Sequence, residues 1–120
     1  MAISIDNLGA EIAVAWKAAL SEGWDQLNSF YKSQTSKISK QAALIAKLRL
    51  EGDLVDDDEM FAFLLDQLED NVRNFANAVA NLTMLTLQKA WNASVGVLWG
   101  AINKLLTGAG FAALPIPALK

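Results

Sequence analysis

Glu51-Gly52-Asp53-Leu54-Val55-Asp56-Asp57-Asp58-Glu59 decides the reading of this chain, because it lies almost midway between two long segments with helical apolar spacing. It reads as the bend of a helical hairpin. Just before it, Lys47 and Arg49 sit where cations favour a helix C-terminus, and Gly52 supplies the permissive backbone that ends one. Asp56 has N-cap chemistry, Glu59 three residues on completes a capping box, and Val55 and Met60 take the hydrophobic-staple positions. A second helix is therefore expected to start at about Asp57.

On the N-terminal side, apolar residues recur at Ile12, Trp16, Leu20, Trp24, Leu27, Tyr31, Ile38, Ala42 and Ile45, a helical period with no proline to interrupt it. Asp6 or Asn7 is the expected N-cap. Gly23 and the Ser/Thr-rich piece from Ser29 to Ser39 lower local propensity without breaking the period. One helix is thus expected over residues 7–50, about 65 Å long at 1.5 Å per residue.

On the C-terminal side, Phe61, Leu65, Leu68, Val72, Phe75, Val79 and Leu82 form a heptad-like seam. Beyond Leu82 the pattern changes. Apolar residues from Leu85 through Trp91, Val95, Leu98, Trp99 and Ile102 to Leu106 spread around most of the circumference, as in a helix buried on most sides or lying in lipid. The second helix is expected over residues 57–106. Pro115 and Pro117 then make an extended tail over 107–120. The fold class is all-α: a single domain built as a long antiparallel two-helix hairpin, completed by oligomeric packing.

Composition narrows the chemistry. The chain is 53% hydrophobic and 19% charged with a net charge of −3, which disfavours a nucleic-acid partner. There is no Cys and no His, so disulfides, thiol chemistry, common zinc sites and the usual general base are all excluded. The acidic turn lacks the alternating carboxylates and sixth-position Gly of an EF-hand, and Asp66, Glu69 and Asp70 lack the His of a bundle di-iron site. No catalytic residue, cofactor, metal site or small-molecule substrate is indicated. The two N-x-[ST] sequences, at Asn81 and Asn92, fall within a predicted helix and are read as coincidental. The N-terminus has no basic n-region and reads as no signal peptide, so synthesis in the cytoplasm is expected.

Charge is sorted along the hairpin. Lys32, Lys37, Lys40, Lys47 and Arg49 lie on the half of helix one that would face Asp57, Asp58, Glu59, Asp66, Glu69 and Asp70 of helix two. The other half is nearly uncharged and holds all four tryptophans, Trp16, Trp24, Trp91 and Trp99. Gly96 and Gly100 form a GxxxG that lets helix backbones approach closely.

The size and hairpin plan resemble those of small secreted helical-hairpin proteins with a Trp-x-Gly turn. The turn here is Glu51-Gly52-Asp53, so no property of that family is carried over. In composition alone the chain is similar to small, Ala-rich helical proteins of phage and prophage particles.

Two functions are compatible with these features. The first is a non-enzymatic structural subunit that assembles with itself or within a larger filament, tube or particle. The second is a membrane-active hairpin, whether pore-former, injected channel component or anchor. Both place the contact on Trp16, Trp24, Leu85, Trp91, Val95, Gly96, Leu98, Trp99, Gly100 and Ile102, because a two-helix monomer could not cover them.

Overall fold

Each expected arm is broken once, and the two breaks meet at the same end of the molecule. The computed structural model describes residues 3–119, whose regular structure is all helical. The helices are α1 (Ile5–Leu20), the single turn α2 (Glu22–Asp25), α3 (Ser29–Glu51), α4 (Asp58–Leu82) and α5 (Leu87–Gly108). The longest dimension is 41 Å, well short of an unbroken 65 Å arm. The two-helix hairpin is therefore replaced by four main helices running up, down, up and down. α1 packs on α3, α3 on α4, α4 on α5 and α5 back on α1, with α5 also touching α3 across the bundle.

Local chemistry makes the breaks. Ser21 ends α1 with φ 54°, and its N–H still bonds Lys17 O and Ala18 O at 3.2 Å. Asn28 starts α3 by accepting from the Tyr31 N–H at 3.1 Å. In the second arm Thr83 turns extended after α4, while Thr86 caps α5 by accepting from the Lys89 N–H at 3.2 Å. The breaks are then locked together. The Met84 N–H donates to Gln26 Oε1 at 2.8 Å, and Gly23 lies so close to Leu85 that a Cβ there would sit 2.5 Å from Leu85 Cδ1. This is a close approach between segments 62 residues apart in sequence, and any larger residue at 23 would have to displace the Leu85 side chain.

The central turn falls where expected, with its cap one residue later. Asp57, not Asp56, caps α4: its Oδ1 accepts from the Met60 N–H at 3.0 Å. The Asp56–Glu59 capping box is consequently out of register, and Val55 and Met60 are exposed instead of stapled. Leu54 is the buried anchor of the turn, and its carbonyl accepts from Arg49 Nη1 at 2.8 Å. Arg49 also pairs with Asp58 at 2.8 Å and lies over the rings of Phe61 and Phe111, at 4.6 and 5.0 Å. α1 starts earlier than expected as well, at the Ser4 cap, whose Oγ accepts from the Asn7 N–H at 3.3 Å.

Charge sorting does less than its pattern suggested. Among the described residues Arg49–Asp58 is the one ion pair joining the two expected arms; Arg73 instead pairs with Glu69 and Asp70 on its own helix. Farther from the turn the polar link between α3 and α4 is neutral, with Asn71 Nδ2 donating to Gln41 Oε1 at 2.8 Å. Exposed pairs contribute about 0 to 1 kcal/mol each, so apolar packing sets this register.

After α5 the chain leaves by a Schellman motif. Gly110 has φ 90°, its N–H bonds Thr107 O at 3.2 Å, and the Phe111 N–H bonds Leu106 O at 2.9 Å. The extended tail then runs back along α5. Asn103 clamps its backbone, Nδ2 donating to Leu114 O at 2.9 Å and Oδ1 accepting from the Leu114 N–H at 2.7 Å. Farther along, Trp91 Nε1 donates to Pro117 O at 3.0 Å.

The shifted cap can be checked directly. Asp57→Ala is expected to cost about 1 kcal/mol in urea unfolding, whereas Asp56→Ala should stay within about 0.5 kcal/mol of the parent. The reverse order would place the helix start one residue earlier.

Candidate functional site: the Trp-rich half and its grooves

Most side chains expected at an intermolecular contact lie inside the chain. Trp16, Trp91, Val95, Leu98, Trp99 and Ile102 are buried in the intramolecular core, while Trp24 and Leu85 are half-buried beside it. The physical reason is the double fold-back. Two extra helices supply the covering surface that the hairpin lacked, so apolarity around α5 is met by α1, α3, α4 and the tail.

Trp16 sits at the centre of this half. It stacks edge-on against Phe75 with ring centroids 4.8 Å apart, and its Nε1 donates to the buried Ser94 Oγ at 2.9 Å. Ser94 in turn donates to Ala90 O at 2.7 Å, leaving the indole N–H and the hydroxyl both paired. Trp91 carries Arg73 over its ring at 5.4 Å. Trp24 faces Lys17 and Lys32 at 5.6 and 5.7 Å from its ring.

Gly96 and Gly100 differ from the rest of the set, being exposed with no atom within 4 Å of where a Cβ would stand. They belong to an open groove of about 320 Å³ between α1 and α5, with Leu8, Ile12, Ala15, Val97 and Leu105 as its apolar lining. Glu11 stands on the α1 side and Lys104 on the α5 side. A second open cleft, of about 390 Å³, separates α3 from α4 and combines Phe30, Tyr31 and Phe75 with Gln34, Gln41, Asn71 and Asn74. Sequence periodicity did not single out this cleft. Its signal was the polar Gln34 in a seam position, where the apolar row of helix one lapses.

The remaining chemistry is sparse. Among the described residues no three carboxylates gather as a metal site, and no helix is long and apolar enough to cross a membrane. Gly52 is the C-cap of α3, donating its N–H to Leu48 O at 3.1 Å. Comparison with protein families, characterised proteins and solved structures finds no match to this chain.

The core pairing makes a measurable demand. Ser94→Ala leaves the Trp16 indole N–H unpaired in the core and is expected to cost about 1 to 3 kcal/mol in denaturant unfolding. Combined with Trp16→Phe, the loss should fall short of the sum of the two single losses. Strict additivity would show that the two groups do not act as a pair.

Proposed function

We propose that this protein is a non-enzymatic structural subunit that associates with copies of itself, as in a filament, tube or particle. The observation that supports this is an apolar end. Met84 is bonded to Gln26, beside the connection that leads into α3, whose second residue is Phe30, and α4 ends just before it at Leu82. Phe30, Leu82 and Met84 are 58, 47 and 67% exposed, so three large apolar side chains face solvent where the two breaks meet. Apolar surface gathered in this way marks contact sites, and each such side chain contributes about 1.5 to 3 kcal/mol when fully covered. The open clefts hold one carboxylate, Glu11, with Lys104 on the opposite rim, and their linings contain no Ser or Thr nucleophile, which favours contact over turnover as the role.

The alternative is a membrane-active protein that uses its Trp-rich half. In that case the bundle would have to open first, because Trp16, Trp91 and Trp99 are internal. Assembly needs no such rearrangement. The two readings separate in solution: sedimentation velocity across a concentration series should show species heavier than the 13.0 kDa chain. Phe30→Ser together with Met84→Ser should shift that distribution toward monomer while far-UV circular dichroism stays helical. A chain that stays monomeric at high concentration but releases dye from liposomes, with a Trp fluorescence shift, would reverse the preference.

A further inference from the structure

We infer that the groove between α1 and α5 is a self-complementary contact for a second copy of this chain, seated over Gly96 and Gly100. This rests on the self-assembly reading and adds a second surface, separate from the apolar end. The glycines are the starting point. A glycine inside a helix is less favourable than alanine and persists where something approaches its backbone closely. Gly9 and Gly23 meet that condition within the chain, since a Cβ at either would lie under 3.0 Å from Lys40 Cγ or Leu85 Cδ1. Gly96 and Gly100 do not, because beyond the backbone of their own helix nothing in the chain comes within 4 Å of where a Cβ would stand. What would approach these two backbones is therefore absent from the monomer.

The rim identifies the occupant. Glu11 and Lys104 stand on opposite sides of the groove, both exposed, and neither forms an ion pair among the described residues. One acid and one base flanking an apolar floor are matched by the same surface turned about a two-fold axis, with Glu11 of each copy meeting Lys104 of the other. The chain's own tail does not fill the groove, since it is held elsewhere by Asn103 and Trp91. Leu8, Ile12, Val97 and Leu105 give the partner helix apolar walls, and the bare glycines let it lie close.

The open space makes the test clean. Gly96→Leu and Gly100→Leu each begin from a Cβ with open space around it and extend toward the groove, so both should remain helical and monomer unfolding should not fall to lower temperature. Each is expected to weaken self-association at least about tenfold by sedimentation equilibrium. A charge exchange gives a second readout. E11K and K104E should each associate more weakly than the parent, and an equal mixture should recover association, because both crossed pairs are then of opposite sign. Unchanged association of the leucine variants, or a mixture no tighter than its components, would overturn the inference while leaving self-assembly through the apolar end intact. A parent chain that is monomeric throughout overturns both.

Discussion

A helix that is apolar around most of its circumference has to be surrounded, and α5 imposes that condition on everything else in this molecule. One neighbouring helix covers one stripe. α5 is accordingly bordered by α1, α4 and α3, and part of its remaining flank receives the tail through Asn103 and Trp91. Both breaks follow from this requirement. Without the reversal at Ser21 to Asn28, α1 could not return along α3 to reach α5; without Thr83 to Thr86, α5 could not fold back beside α4.

The tryptophans show how large apolar bodies with one polar atom are accommodated. Burial of an indole is favourable only if its N–H keeps a partner. Trp16 finds Ser94 and Trp91 finds a tail carbonyl, so the polar handles that might have pointed to a wet interface connect separate segments of the core. Arg49 has the corresponding role at the other end, where its guanidinium joins the turn, α4 and the first tail residue.

Much of this was legible in the sequence, and the losses have specific causes. The helical period, the reversal after Glu51 and the proline-bearing tail are local properties, and each is found close to where its residues predict it. The cap shifted because three consecutive aspartates offer the same chemistry, and only the bond from the Met60 N–H distinguishes Asp57. Ser21 gave no warning, since serine rarely takes positive φ and does so here under tertiary constraint. Asn28 and Thr86 did carry capping signals, but an apolar period running through them masked both. The Trp-rich set reads in the sequence as apolar surface in need of cover, yet a sequence cannot say whether a helix in the same chain or in another copy supplies it. Only Gly96 and Gly100 of that set remain without intramolecular cover.

The bond between Trp16 and Ser94 bears on the order in which the bundle forms. It spans 78 residues, whereas α3 and α4 are neighbours joined by a short turn and can pair early. Closing the longer loop costs only about 1 kcal/mol more than closing one of some twenty residues, so distance alone is a minor barrier. The stricter limit is one of order: α1 can pack on its neighbour α3 early, but the partner of its Trp16 indole is not in place until α5 has docked, because Ser94 belongs to α5. α1 thus precedes α5 in the chain yet completes its set of neighbours only when α5 arrives. Until then part of its apolar face, which carries Ile12, Trp16 and Leu20, stays uncovered.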